Sequence, residues 1–252
     1  RELVRVWPVL RVRLTYLFLM GALGFTVFNA LFYAAAHHTS AINIGIIQGA
    51  MPAFILIGAL IVYRTPATVA QWLGVALAVT GVAVLSTAGE LGRLLELSLN
   101  RGDTLVLVAA LLYAGYSVAL RSKPAVGALS MFAVLACSAA IASLPILAIE
   151  VSNGTLLWPT LRGWLIVVLV AVFPSMLSQV FFIKGVEAIG AGRAGVFVNL
   201  VPIFAAALAV IVLGEPFEWF HGVALALVLA GIGLSERSVM LDRKVASTEG
   251  EG

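Results

Sequence analysis

Eight long apolar runs follow one another along this chain, near 14–36, 41–63, 67–87, 102–121, 128–150, 161–183, 194–213 and 219–236. A bilayer core about 30 Å thick is crossed by about 20 helical residues, so each run has roughly the length of a span. None carries Asp, Glu, Lys or Arg near its centre, where such a charge costs about 2.5–3.5 kcal/mol. Backbone polar groups in lipid must be satisfied within the protein, which leaves helices or a closed barrel. Barrel strands alternate in hydropathy and these runs do not. The sequence therefore predicts an all-α integral membrane protein, a multi-span helical bundle in contact with the lipid bilayer. Composition agrees, at 62% hydrophobic and 11% charged, against about 25% charged in soluble domains. A net charge of +3, scattered along the chain, lacks the clustered basic patch of a nucleic-acid-binding protein. The single cysteine, Cys137, sits in an apolar run and reads as a packed core thiol.

Charges between the spans orient the bundle. On the side of the N-terminus lie Arg1, Arg5, Arg11, Arg13, Arg64, Arg121, Lys123, Lys184, Arg193, Arg237, Arg243 and Lys244. Only Arg93, Arg101 and Arg162 fall on the other side. Basic loops stay in the cytoplasm, so both ends of this chain are expected there, in a multi-pass protein of the cell membrane. Residues 237–252 are polar, charged and aperiodic, and read as a disordered cytoplasmic tail.

The chain also resembles itself at an offset of 150 residues. Pairs include Phe32/Phe182, Ala41/Ala191, Gly45/Gly195, Pro52/Pro202, Phe54/Phe204, Pro66/Pro216, Leu77/Leu227 and Gly81/Gly231. The first three spans thus recur as the last three, five helices on. An odd number of crossings reverses direction, so the two copies are expected in inverted topology, a common plan among secondary transporters. The second copy has five helices and the first only three. Two further helices are therefore expected before Arg1, with about ten spans in an intact protein. The resulting segments are 1–13, an N-terminal cytoplasmic piece; 14–87, a partial first repeat; 88–101, a non-cytoplasmic connector; 102–236, the second repeat; and 237–252, the tail.

The segment TSAINIGIIQGAMPAF with QWLGVALAVTGVAVL resembles the EamA-type repeat of the drug/metabolite transporter superfamily. GVEAIGAGRAGVFVNLVPIFAAALAVIVLGEP with GVALALVLAGIGL is similar to its second copy, and LVLVAALLYAGYSVALRS to the helix that opens each half. Tyr63-Arg64-Thr65-Pro66 stands where the first repeat usually carries Gly-Glu, as Gly214-Glu215-Pro216 does in the second. The resemblance implies a secondary transporter bringing amino acids or related small metabolites out of the cell by alternating access, without a cofactor.

Polar side chains inside spans are the candidates for a substrate path. Ser175, Ser178 and Gln179 share one helical face, as do Thr26, Asn29 and Tyr33. Asn29 and Gln179 hold equivalent repeat positions, so the pair is expected to flank one midplane cavity. Tyr113, Tyr116 and Ser117 line another face, where a phenol offers an apolar wall with a polar tip. Asn43, Gln48 and Asn199 are polar exceptions on spans otherwise built of small and apolar residues. Asn29 and Gln179 read equally as hydrogen bonds between helices, worth about 0.6 kcal/mol on average. The tyrosines read as cavity wall rather than interfacial anchor, Tyr113 lying mid-helix. Pro52 and Pro202 each remove a backbone hydrogen bond and are candidate hinges. His37 and His38 at the outer mouth read as solvated loop residues. Lys184, Glu187 and Arg193 at the inner mouth read first as anchors. No HExxH or GxSxG motif and no acidic pair within a span supports a membrane enzyme, and no metal site is expected. An intramembrane enzyme and a structural or signalling protein remain the alternatives. Without a central ionisable residue in these spans, proton coupling through other helices and facilitated diffusion both stay open. Oligomeric state is not legible.

Overall fold

The computed structural model describes residues 2–39, 41–90, 92, 95, 100–213 and 216–249. Regular structure among these residues is helical throughout. A short helix, α1 (Glu2–Arg11), precedes the bundle. Then come α2 (Leu14–Ala36), α3 (Asn43–Tyr63), α4 (Val69–Ser86), α5 (Arg101–Ser122), α6 (Ala128–Ser152) and α7 (Leu161–Ile189). These six are long and apolar enough to cross a membrane. The seventh apolar run forms α8 (Ala191–Val196) and α9 (Leu200–Leu213) with a 3-10 turn, Phe197–Asn199, between them. In the last helix, α10 (Trp219–Glu249), the apolar stretch is Trp219–Ser235. Against the eight continuous spans read from sequence, six reach spanning length, α3 among them with a break at Ala50, the seventh is interrupted and the last is short.

The interruptions have a local cause. Pro52 has no N–H, so the Gln48 carbonyl loses its helical partner. The chain there breaks into helical pieces Ala41–Gly49 and Met51–Tyr63. Between them the Ala50 N–H is shared by the carbonyls of Ile46 and Ile47, at 3.1 and 3.2 Å. Pro202 stands in the same relation to the 3-10 turn Phe197–Asn199. Two further irregularities are π-helical: Ala22–Val27 within α2 and Ala171–Leu177 within α7. They too lie about 150 residues apart, with Gly24 in one and Pro174 in the other.

Helix ends follow from capping chemistry. Thr68 and Gln71 form a capping box at the start of α4, and Asn100 and Asp103 form one at the start of α5. Arg64 ends α3 in the left-handed region, at φ 52°, a conformation that favours glycine. The corresponding Gly214 and Glu215 lie outside the described residues. Helix α10 stays helical to Glu249, through the segment read from sequence as a tail. No Gly or Pro interrupts it between Gly233 and Gly250, and extending a helix is cheaper than starting one.

One core gathers Leu10, Leu17, Met20, Ile55, Leu135 and Ile183 around α5, the most enclosed of the spans. A second joins Val75, Val82, Val196, Ala224 and Val228. Helix α7 is the least enclosed, with Leu165, Ile166, Val168 and Phe173 turned outward, as suits contact with lipid tails. Cys137 is likewise exposed, which corrects its reading as a core thiol. In a membrane helix the lipid-facing and core-facing sides are equally apolar, so the surrounding sequence does not tell them apart.

Helices α4 and α10 approach as closely as backbones allow. A Cβ on Gly231 would sit 2.4 Å from the Gly74 carbonyl oxygen, and one on Gly81 would sit 2.9 Å from the Ala224 oxygen. These two contacts exchange with each other under the 150-residue offset. Gly231→Ala is therefore expected to destabilise the bundle by about 1–3 kcal/mol, despite alanine's better helix propensity of about 1 kcal/mol. A thermal melt in detergent checks it, and an unchanged midpoint would mean that the pair can separate freely.

Candidate functional site

Three of the sequence candidates meet between α5 and α7. The Tyr116 hydroxyl donates to Gln179 Oε1 at 3.3 Å, and Tyr113 stands about one turn before Tyr116 on α5. The two phenol rings lie 5.6 Å apart. Around them stand Phe25, 5.3 Å from the Tyr116 ring, and Phe28 and Phe182, 5.2 and 5.8 Å from the Tyr113 ring. The result is a run of five aromatic rings, with the half-buried Gln179 amide hydrogen-bonded to it at Tyr116. It joins apolar ring surface to a phenol and an amide that hydrogen-bond each other. Phe25 belongs to the π-helical segment of α2, and Gln179 follows that of α7 by two residues. The cluster thus sits beside both irregular stretches.

Asn29 is elsewhere. It is exposed and lines a cavity of about 530 Å³ with Phe25, Thr26, Ser143 and Glu150, bounded by α2 and α6. Its Nδ2 donates to the Phe25 carbonyl one turn back at 2.8 Å, and Thr26 donates to the Ala139 carbonyl at 2.8 Å. Gln179 is not among the residues lining that cavity. Only Phe25 touches both places. Tyr33, 62% exposed, meets Phe32 edge to face at 6.1 Å.

Asn43 is buried, and its Nδ2 donates to Asp103 Oδ1 at 2.8 Å. Thr39 donates to the same oxygen, and the Asn100 N–H donates to Oδ2 at 2.9 Å. Asp103 is 3% exposed, so this knot ties adjacent ends of α2, α3 and α5 through a satisfied buried carboxylate. Sequence reading singled out Asn43 but not Asp103; the Asn100-x-x-Asp103 capping box was the available signal. Ser117 is fully buried and returns its hydroxyl to the Tyr113 carbonyl at 2.9 Å. Gln48 is half-buried just before the break at Ala50. Ser175 is exposed within the π-helical stretch. Asn199 is 1% exposed in the 3-10 turn, and its Nδ2 has no hydrogen-bond partner among the described residues. His37 and His38 are exposed in the turn after α2.

On the opposite face, the ends of four helices are stitched together. Arg13 donates to the Ser122 carbonyl at 2.8 Å, Tyr63 and Ser122 share a hydroxyl contact at 2.7 Å, and Lys123 pairs with Glu187 at 2.6 Å. Bringing α2, α3, α5 and α7 together on one face is what alternating crossings require.

Six membrane-length apolar helices describe a multi-pass membrane protein. The EamA-like transporter family model matches residues 3–87 and 100–236, and the chain belongs to that family of membrane transporters. It is similar to the uncharacterized transporter YyaM of Bacillus subtilis (strain 168), 28% identical over 214 residues, covering 84% of this chain and 70% of that one. YetK of the same organism, also named an uncharacterized transporter, is 25% identical, with 83% and 64% covered. An uncharacterized transporter of Methanothermobacter thermautotrophicus is 24% identical, with 86% and 62% covered. This chain spans less than two thirds of the length of the last two. A solved crystal structure shares the fold at a TM-score of 0.74 and 19% identity, over 95% of this chain and 78% of its own.

Proposed function

We propose that this chain forms the greater part of a secondary transporter that moves amino acids or related small metabolites out of the cytoplasm by alternating access. The carrying observation is the Tyr113–Tyr116–Gln179 cluster beside two π-helical segments about 150 residues apart. π-Bulges are frequent at functional sites, and transporter sites form where paired helices depart from regularity. The exchange of the Gly81–Ala224 and Gly231–Gly74 contacts under the repeat offset supports an inverted pair of halves. The breaks preceding Pro52 and Pro202 are the proposed hinges. The basic face is proposed to be cytoplasmic, and the membrane to be a bacterial cytoplasmic membrane.

The test is a metabolite-efflux profile of cells making the intact protein, compared with cells that lack it. Faster loss of one or a few amino acids or related metabolites is the expected result. An identical profile, with the protein present in the membrane, would overturn the transport reading in favour of a structural or enzymatic role. Orientation is read in the same cells by single cysteines at Ala125 and Asn153 in a Cys137→Ser background. An impermeant thiol reagent should label position 153 alone, and labelling of 125 instead would reverse the assignment.

A further inference from the structure

Between the stitched helix ends on the basic face lies a cavity of about 570 Å³, lined by Tyr63, Thr65, Gln71, Arg121, Glu187 and Arg193 among others. It is separate from the aromatic cluster, since neither Tyr113, Tyr116 nor Gln179 lines it. Arg121 lies in the 3-10 turn Leu120–Ser122 that ends α5. Its guanidinium rests 4.6 Å from the centroid of the Tyr63 ring and donates through Nη1 to Thr65 Oγ1 at 2.8 Å. Stacking and this hydrogen bond hold the fork in place while most of its five N–H donors stay available. The acid in the same wall, Glu187, is paired with Lys123 at 2.6 Å. Among the described residues no carboxylate pairs with Arg121. Arg193, half-buried in the last turn of α8, also lines the cavity.

A pre-oriented guanidinium with no carboxylate partner among the described residues, in a cavity of metabolite size, fits a planar or tetrahedral oxyanion. We infer that this cavity is an oxyanion-binding subsite centred on Arg121, taking the carboxylate or phosphate of a small organic anion or of a lipid headgroup. As a first docking step for a transported solute it rests on the transport reading above. As a binding site it does not.

The intact protein is purified into nanodiscs of phosphatidylcholine, and its thermal midpoint is followed against inorganic phosphate or acetate, with chloride holding ionic strength constant. A saturable rise is expected. Arg121→Gln should raise the half-saturating concentration about tenfold or more, the usual scale for losing a charged hydrogen bond. Arg121→Lys keeps the charge, loses the fork and guards against misfolding of the neutral variant; it should fall between the two. In phosphatidylglycerol nanodiscs, a midpoint already raised, insensitive to added phosphate and lowered by Arg121→Gln identifies the headgroup as the ligand. A response to free phosphate in both lipids identifies the solute. No saturable rise in phosphatidylcholine together with no gain from phosphatidylglycerol would overturn the subsite, as would an Arg121→Gln response equal to that of the unmutated protein. Gln179→Leu should leave the anion response intact. Absent transport with an intact anion response would count against the transport reading and not against this site.

Discussion

Asp103→Ala is expected to lower the thermal midpoint of the protein in detergent by roughly 10 °C, the largest stability change for any single polar residue outside the aromatic cluster. The carboxylate is 3% exposed and accepts from Thr39, Asn43 and the Asn100 N–H. Its own N–H donates back to Asn100 Oδ1 at 3.0 Å. Losing a helix cap costs about 0.5–2 kcal/mol, and hydrogen bonds to a charged group are worth about 1.5–3 kcal/mol each. These terms overlap, so about 3 kcal/mol in total is a fair expectation, at about 2–4 °C per kcal/mol for a chain of this size. An anion at the start of α5 also faces the favourable end of the helix dipole. Asp103→Asn keeps the shape and one acceptor oxygen but puts an NH2 group against a donor, and should fall between alanine and the native residue. A double-mutant cycle with Asn43→Leu isolates the tie between α3 and α5, with a coupling of about 1.5–3 kcal/mol expected. A midpoint within a degree or two of the native one in Asp103→Ala would mean the knot is incidental to stability.

How much of this was legible in the sequence depends on what sets each feature. Apolar length is a property of the chain alone, so the runs that became α2 to α7 could be read directly. Proline acts on its own backbone, so the breaks preceding Pro52 and Pro202 were also legible. Side-chain direction is different, because it depends on which neighbour a helix meets. Asn29 and Gln179 stand 150 residues apart and match under the offset seen in the sequence, yet one faces a cavity beside α6 and the other faces a tyrosine of α5. Asn43 reads as cavity or as tie until Asp103, sixty residues away, is known to be its partner. The phenylalanines that complete the aromatic run carry no polar signal, although Phe25 and Phe28 fall within a turn of Asn29 and Phe182 lies three residues from Gln179. The π-helical stretches have only Gly24 and Pro174 to announce them.

Gln179→Leu in the intact protein is expected to weaken apparent substrate affinity about tenfold, the equivalent of about 1.4 kcal/mol. The rival reading makes Gln179 a bolt between α5 and α7, because its Oε1 already accepts from Tyr116. Leucine alone does not separate the two readings cleanly. It leaves the Tyr116 hydroxyl, on a side chain only 3% exposed, without that acceptor, and stability falls whichever role is real. Removing both partners together is far cheaper than removing one, so Gln179→Leu combined with Tyr116→Phe restores an all-apolar contact of similar shape. A bolt of this kind is worth about 0.6 kcal/mol, rarely above about 1.7, and the double variant should recover most of that loss in a thermal melt. If the cluster binds substrate, the recovered stability comes without recovered affinity, since the ligand has lost an amide and a phenol at once. Asn29→Leu serves as the comparison. That amide is exposed and already satisfied by the Phe25 carbonyl, so its replacement should leave the melt nearly unchanged and affect transport less. Native affinity and selectivity in the double variant would show that the tyrosine–glutamine cluster holds helices together and touches no substrate.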